Sequence, residues 1–317
     1  MTINFKHITK KLTTGALVAT MAFALTACGG NQAAEGNAQE GNAANTGNAA
    51  TETAATAEGP INVISREEGS GTRSAFTEIV GLIEKDDAGN EKDMTSEEAA
   101  VQNSTDAVLT AVSNDVAGIG YISLGSLNDT VKALKVEGTE ATAENIVAGT
   151  YPIARPFNIA YKGEPTPEVK DFLAFIASEE AGKIAEEEGY VPNPEAQPYE
   201  PADVSGSITI AGSTSVTPLM EKLVEAYKVH NPNFNADIQA TGSSAGMKSA
   251  MDGTAQIGMA SRELKEDEAA ALNQEVICRD GIAVVINNDN ATEDMTIDQI
   301  KNIFNGTTTD WAEVNAK

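Results

Sequence analysis

The sequence predicts an α/β protein whose folded part contains two lobes. Residues 60–192 and 206–317 each alternate short apolar runs, typical of buried strands, with stretches whose apolar residues recur at helical spacing. A polar connector with three prolines, residues 193–205, lies between these two parts. The whole stretch is roughly 260 residues long, which is enough for two lobes of ordinary domain size.

The individual elements follow from this alternation in chain order. The first helix, for example, is set by apolar side chains at positions 76, 79, 80 and 83. The elements predicted in the first part are strand 61–64, helix 74–83, helix 106–112, strand 117–124, strand 154–161 and one long amphipathic helix 167–188. Those predicted in the second part are strand 207–210, helix 218–229, strand 236–240, helix 247–251, strand 256–260, helix 266–273, strand 281–287 and helix 296–304.

Three of the strand-to-helix junctions carry loops rich in Ser, Thr and Gly, at residues 65–73, 211–218 and 241–246. A helix start has unpaired backbone N–H groups and a partial positive charge, both of which favour an anion, and glycines let the backbone approach it closely. In the first loop Arg66 adds a fork of donors that matches a tetrahedral oxyanion. One such loop is equally typical of an ordinary turn before a helix N-cap, but three predict helix starts that converge on one negative ligand.

The N-terminus has the features of an exported lipoprotein. A start with three Lys precedes the short apolar segment 12–24, and residues 25–28 resemble a bacterial lipobox. We therefore expect a signal peptide over residues 1–27, a lipid on the thiol of Cys28, and anchorage to the extracytoplasmic face of the cell membrane. Residues 28–59 are predicted to be a disordered tether, because residues 29–59 contain no large apolar side chain that could form a core. The alternative is an uncleaved N-terminal membrane helix.

Charge and residue usage argue against several function classes. The formal net charge of −26 makes nucleic acid a poor partner. Cys278 stands in an apolar strand context, and with Cys28 lipidated no disulfide is available; neither His7 nor His230 is a convincing partner for a nucleophile, so a buried, inert thiol is expected. No clustered His and Cys and no carboxylate motif of recognised spacing indicate a metal, and we expect no cofactor.

Four segments resemble the phosphate-binding lipoprotein of the Pst-type ABC importer: residues 208–218, 241–248, 258–265 and 65–76. The resemblance extends over nearly all of residues 60–317. It implies a periplasmic-binding-protein-like (type II) fold, in which two α/β lobes joined by crossing strands close on a ligand. It also implies a monomer that binds inorganic phosphate and delivers it to an ABC permease and ATPase complex, without being an enzyme.

The order of these segments differs from the family pattern, and the chain resembles a circular permutant. The family's C-terminal half corresponds to residues 60–192, its N-terminal half to residues 206–317, and the connector joins the family's usual ends. Polar surface connectors between neighbouring termini make such an arrangement feasible. The expected lobe one is residues 151–192 with 206–287, and the expected lobe two is residues 60–150 with 288–317. The alternative is two incomplete halves of separate proteins.

The resemblance assigns the ligand contacts residue by residue. The residues it places against phosphate are Thr214, Ser215, Ser243, Arg66, Ser70, Gly71, Thr72, Ser261 and Arg262, with Glu68 as the acid that orients the arginine. Arg262 departs from the better-known branch, where an aspartate accepts the proton of phosphate. Here the acceptor is left open among Glu68, Glu263, a hydroxyl and a backbone carbonyl. Arg262 could alternatively form a lobe-bridging salt bridge.

These observations predict a lipid-anchored extracytoplasmic phosphate receptor. Within the binding class the alternatives are other oxyanions, namely sulfate, molybdate or phosphonate. From other classes the alternatives are a phosphatase or serine hydrolase and a sensory or adhesive surface protein on the same fold. The hydrolase is disfavoured because no general base lies near these serines in the sequence and no metal motif is present.

Overall fold

The protein is described by a computed structural model that covers residues 58–86, 90–193 and 196–315. The predicted signal peptide, Cys28 with its predicted lipid, and the predicted tether up to residue 57 lie outside the described residues. Within these ranges, no helix is both long enough and apolar enough to cross a membrane.

Strands and helices alternate along the chain. The strands are β1 (Asn62–Arg66), β2 (Ile83–Lys85), β3 (Glu91–Asp93), β4 (Ala100–Gln102), β5 (Gly118–Ser123), β6 (Lys132–Ala133), β7 (Lys135–Val136), β8 (Ala154–Tyr161), β9 (Val191–Pro192), β10 (Gly206–Gly212), β11 (Phe234–Ala240), β12 (Ile257–Ala260), β13 (Asn273–Ile286) and β14 (Asp294–Met295). The helices are α1 (Gly71–Ile79), α2 (Thr105–Ser113), α3 (Ala143–Val147), α4 (Pro167–Ile176), α5 (Glu179–Glu187), α6 (Thr217–His230), α7 (Ser243–Asp252), α8 (Glu266–Ala271), α9 (Ile297–Phe304) and α10 (Trp311–Asn315).

The main sheet has the strand order β11-β10-β12-β8-β13-β5-β1-β4. At one end β10 runs parallel to β11 and β12, and at the other end β1 runs parallel to β4 and β5. The two central strands, β8 and β13, are antiparallel to each other. Because helices α1, α6 and α7 begin after the carboxyl ends of β1, β10 and β11, their starts lie at the strand ends where α/β proteins bind ligands.

The buried apolar residues form two main cores, which define two lobes. The first core contains Phe157, Phe172, Phe175, Tyr190, Ile210, Leu219, Tyr227 and Phe234. The second contains Phe76, Tyr121, Ile153, Val284, Ile300, Phe304 and Trp311. We call the region around the first core the first lobe, residues 156–279, and the region around the second core the second lobe, residues 58–154 and 281–315.

The chain passes between the lobes at two points, on the central strands. Ile153 packs in the second core and Phe157 in the first, so the first passage is near Arg155. On β13, Cys278 packs in the first core and Ile282 in the second, so the return is near Asp280. The return lies earlier than the boundary expected after residue 287, because β13 is one continuous strand shared by both lobes.

The two ends of the described chain meet in the second lobe. The Ile61 N–H donates to the Thr309 carbonyl at 2.8 Å, and the Trp311 N–H donates to the Gly59 carbonyl at 2.9 Å. The connector packs on the first lobe, where the Tyr199 hydroxyl donates to Asp171 Oδ2 at 2.6 Å. The connector is therefore attached to the folded body by a specific contact.

Several predicted elements differ from those observed. The helix predicted over 74–83 is α1 (Gly71–Ile79), and residue 83 begins β2 instead. The long helix 167–188 is two helices, because Ser178 ends one and caps the next: the Ala181 N–H donates to its Oγ at 3.3 Å. The strand predicted over 281–287 begins at Asn273, since its first half pairs with β8. The helix predicted to end at residue 273 accordingly stops at Ala271.

Candidate anion-binding site

The first loop turns sharply between β1 and α1. The Ser70 N–H donates to the Glu67 carbonyl at 3.2 Å, and Gly69 within this turn has a φ of +89°, which favours glycine. Ser70 then caps α1, since its Oγ accepts from the Arg73 N–H at 3.3 Å. The turn therefore lets α1 begin at Gly71, only a few residues after Arg66 at the end of β1.

The second and third loops are joined by their backbones. The N–H groups of Thr241 and Gly242 both donate to the Gly212 carbonyl, at 2.9 and 2.8 Å. Helix α7 packs so closely that a Cβ at Gly246 would overlap Gly212. The starts of α6 and α7 are therefore held side by side on the first lobe.

A fourth loop, after β12, completes the first-lobe side. Ser213 Oγ donates to Ser261 Oγ at 2.9 Å, and the Ser261 N–H donates to Ser243 Oγ at 3.2 Å. From the second lobe, Gly71 approaches so closely that a Cβ there would overlap the hydroxyls of Ser243 and Ser261. The structure thus brings together the three loops whose convergence the sequence predicts and places a fourth, after β12, beside them.

Direct hydrogen bonds connect the two lobes across this site, which we call the cradle. Arg66 Nη2 donates to Thr214 Oγ1 at 3.0 Å, and the hydroxyls of Thr72 and Ser215 are 2.8 Å apart. The Thr105 hydroxyl lies 3.2 Å from Ser215 Oγ and is buried, so it is a cradle residue that sequence reasoning missed. Its only sequence signal is a Ser-Thr pair at the start of a predicted helix.

Arg66 is the central cation of the cradle and is only 1% exposed. Its Nε and Nη2 donate to the two carboxylate oxygens of Glu67 at 2.8 and 2.9 Å. Its Nη1 is buried without a hydrogen-bond partner among the described residues. The Arg66 backbone is fixed as well, because its N–H donates to the Tyr121 hydroxyl at 3.2 Å and its carbonyl accepts from Arg73 Nη1 at 2.9 Å.

The expectation that Glu68 orients this arginine is wrong. The carboxylate that holds Arg66 belongs to Glu67, whereas Glu68 is exposed. The reason is the turn from Glu67 to Ser70, in which Glu68 occupies the second position, where side chains face solvent. Glu67 precedes the bend and lies beside the guanidinium.

Arg262 lies beside the cradle with a different set of partners. Its Nη1 and Nη2 donate to the two carboxylate oxygens of Glu268 at 2.7 and 2.8 Å, and Nη2 also donates to Ser244 Oγ at 3.2 Å. All these partners are in the first lobe, so Arg262 forms an ion pair that does not bridge the lobes. Burial raises the pKa of Glu268, but hydrogen bonds from Arg262 and the Lys265 N–H outweigh it and lower the pKa below 4.5. The remaining Arg262 Nε is buried without a partner among the described residues.

The chemistry of this arrangement suits a bound anion. The cradle offers hydroxyls, backbone N–H groups and a free guanidinium nitrogen, while the carboxylates of Glu67 and Glu268 are already held by arginines. Across the described ranges there is no group of three or more His, Cys, Asp or Glu side chains placed to hold a metal ion. Cys278 is buried in the first core, and burial raises the pKa of its thiol well above 9.0, so it stays protonated near neutral pH.

Comparison with known proteins agrees with this chemistry. The chain matches the PBP superfamily domain over residues 19–180 and 197–317. It is 47% identical over 266 residues to the phosphate-binding protein PstS 2 of Streptococcus agalactiae serotype V, covering 83% of this chain and 91% of that protein. It is 41% identical over 307 residues to the phosphate-binding protein PstS 2 of Streptococcus pneumoniae serotype 4, covering 96% of this chain and 99% of that protein.

A solved structure shows the same likeness in three dimensions. It is the crystal structure of the phosphate-binding protein of a phosphate ABC transporter from Streptococcus pneumoniae TIGR4. The match has a TM-score of 0.66 and 43% identity, and it covers 81% of this chain and 100% of that chain.

Proposed function

This chain belongs to the PBP superfamily as a Pst-type phosphate-binding protein, and we propose that it captures inorganic phosphate outside the cytoplasm and delivers it to an ABC importer. The observation that carries this proposal is the buried Arg66 Nη1, which has no partner where four hydroxyl-rich loops meet. A buried guanidinium N–H without an acceptor is costly, and a phosphate oxygen would satisfy it. The relatives are receptors of transporters, and we infer that this chain likewise binds its ligand without chemical turnover.

The phosphate contacts are proposed from the cradle geometry. The residues that would surround the anion are Arg66, Ser70, Gly71, Thr72, Thr214, Ser215, Ser243 and Ser261, with Arg262 at the margin through its free Nε. Each is buried except Thr214, which is partly exposed. Closure of the lobes would surround the anion with donors from both sides, because Arg66, Gly71 and Thr72 come from the second lobe and the serines at 215, 243 and 261 from the first.

The proton of monohydrogen phosphate would be accepted by a hydroxyl or a backbone carbonyl. Glu68 and Glu263 are exposed, and Glu67 and Glu268 are each held by both oxygens to a guanidinium. Hydroxyls both donate and accept, so they can match a protonated oxygen that sulfate lacks. Discrimination against sulfate would then be weaker than a dedicated carboxylate acceptor provides, since a neutral oxygen repels sulfate less than a charged one.

Calorimetric titration of the chain with phosphate and with sulfate at neutral pH tests this function. We expect one phosphate per chain and a lower Kd for phosphate than for sulfate. Equal Kd values for the two anions would remove phosphate as the specific ligand. Incubation with phosphate monoesters is the parallel assay, and release of phosphate would favour the phosphatase alternative.

We further propose that Cys28 anchors the chain to the membrane through lipid. The sequence pattern around Cys28 supports this, and the residue lies outside the described part of the chain. Cys28→Ser is expected to release the protein into the medium. Continued partition of the variant with membranes would contradict lipid anchorage at this residue.

The permuted order is also a proposal. It is supported by the backbone hydrogen bonds that join residues 59–61 to residues 309–311. Because these two segments are adjacent, a chain that runs directly from one to the other and is open elsewhere could adopt the same fold. The S. pneumoniae relative aligns over 96% of this chain, so both share one segment order. We propose that one chain makes one complete site as a monomer. A dimer with ligand contacts from different chains, detected by solution mass and phosphate stoichiometry, would contradict this.

A further inference from the structure

Two charged residues face each other at the two points where the chain passes between the lobes. Arg155 on β8 and Asp280 on β13 are direct partners in the register of the antiparallel pair. Their side chains are 1% and 0% exposed, and Arg155 Nη2 donates to Asp280 Oδ2 at 3.0 Å. We call this pair the hinge pair, because it lies on the two strands along which the chain passes between the lobes.

The hinge pair makes one further hydrogen bond, which we call an arm, to each lobe. Arg155 Nη1 donates to the Ser261 carbonyl at 3.0 Å, in the cradle loop of the first lobe. Asp280 Oδ1 accepts from Ser123 Oγ at 3.0 Å, at the end of β5 in the second lobe. The hinge pair therefore connects the strand crossing with the anion cradle on one side and with the second-lobe sheet on the other.

The contact with Ser261 has a chemical consequence for anion binding. A carbonyl oxygen that turned toward an anion would repel it, and a charge-assisted hydrogen bond to Arg155 holds this oxygen on the hinge side. The hydroxyl of the same residue accepts from Ser213 and its N–H donates to Ser243, so the loop is fixed from three directions. Burial and the positive charge of Arg66 both lower the pKa of Arg155, and Asp280 opposes the shift.

We propose that Arg155 is a positioning residue for phosphate, which sets the Ser261 loop against the cradle by holding the Ser261 carbonyl. This inference rests on the proposed function and adds a residue that neither touches the anion nor belongs to the loops recognised from the sequence. A buried ion pair adds little stability over apolar residues of equal volume. What apolar residues could not provide here is the hydrogen bonds of the pair to Ser261 and Ser123.

The test compares variants that separate the Ser261 arm from the charge pair. Arg155→Met/Asp280→Asn removes both charges together and leaves an amide oxygen for Ser123, so the contact with Ser261 is lost without leaving an unpaired buried charge. Asp280→Asn alone keeps that arm. Arg279→Met is the charge control, because Arg279 lies on the same strand and is exposed.

Phosphate binding by the full chain and hydrogen exchange of residues 257–264 are the two measurements. We expect the double variant to bind phosphate about tenfold or more weakly, with faster exchange in this segment, because a hydrogen bond to a charged group is lost. Asp280→Asn and Arg279→Met are expected to stay within about threefold of the unmodified chain. Arg155→Lys keeps the positive charge but not the forked guanidinium, and its phosphate Kd is expected to lie between those of the double variant and the two single variants. This measurement remains informative even if the double variant does not fold.

Two outcomes would overturn this inference and leave the proposed function standing. One is phosphate binding by the unmodified chain with unchanged Kd in both Arg155 variants. The other is an equal loss in Asp280→Asn and in the double variant, which would assign the effect to the stability of the pair. Absence of phosphate binding by the unmodified chain would instead overturn the proposed function and this inference with it.

Discussion

Arg66 and Arg262 are both buried beside the cradle, and both are held by a carboxylate through two hydrogen bonds. Arg66 reaches across the cleft to Thr214 and leaves a terminal nitrogen with two N–H groups unpaired. Arg262 uses both terminal nitrogens within its own lobe and leaves only Nε. We infer that the position of the unpaired donors, rather than burial or charge, is what would make Arg66 a ligand contact and Arg262 a structural ion pair.

The largest expected effect is the loss of phosphate binding in Arg66→Met. Removing a charge-assisted donor should cost on the order of 2–4 kcal/mol, or about thirtyfold to a thousandfold in Kd. Calorimetry measures the Kd, and circular dichroism checks that the variant is folded. Unchanged binding in a folded variant would place the site elsewhere.

Arg262→Met is the variant to compare with Arg66→Met. We expect it to lower stability and to change phosphate binding little. It leaves Glu268, which is only 3% exposed, without its cation, so the free energy of unfolding should fall by about 3 kcal/mol, because an unpaired buried charge remains. The phosphate Kd should rise by no more than about threefold. A loss of affinity as large as that of Arg66→Met would show that the Nε of Arg262 is a principal contact.

Glu67→Gln and Glu68→Gln form a second matched pair, with a smaller effect. Glu67 orients the Arg66 fork, so Glu67→Gln should weaken phosphate binding by about 1 kcal/mol. Glu68→Gln should leave the Kd unchanged, because that side chain is exposed. If the exposed residue had the larger effect in titrations under the same conditions, the assignment of Glu67 would be wrong.

The smallest expected effect is a pH dependence of the Arg262 pair. The pKa of Glu268 is lower in the folded protein than its ordinary value of 4.5, so its contribution to stability is complete above pH 4.5 and is lost as the pH falls through the folded value. The stability difference between the unmodified chain and Glu268→Gln should therefore shrink below pH 4.5. Chemical unfolding at several pH values measures it, and a difference that grew on acidification would contradict the sign.

Much of the fold could be predicted because its signals are local. The strand predicted at residues 154–161 has the bounds of β8, and the loops at β1, β10 and β11 stand where their Gly, Ser and Thr residues indicated. The break between α4 and α5 was missed because apolar spacing continues across Ser178, and only its capping bond reveals the end.

The finer parts of the site depend on contacts between distant residues. Glu67 and Glu68 are chemically alike, and only the turn geometry decides which one holds Arg66. Thr105 and Arg155 reach the cradle through strand order and register, which residue patterns in one sequence do not encode. Arg262 was predicted as a ligand contact, and its pairing with Glu268 becomes visible only when α8 folds back on the loop.

Because residues 59–61 meet residues 309–311, the described chain both starts and ends in the second lobe. The first lobe is one continuous insertion between Arg155 and Asp280, while Gly59 and Trp311 are hydrogen-bonded to each other in the second lobe. Residue 58 lies on the second lobe, so the N-terminal lipid anchor proposed above would attach the molecule through that lobe. On that proposal, any opening or closing would move the first lobe relative to the anchored second lobe, and a pull at the anchor would not act on the strands that join the lobes.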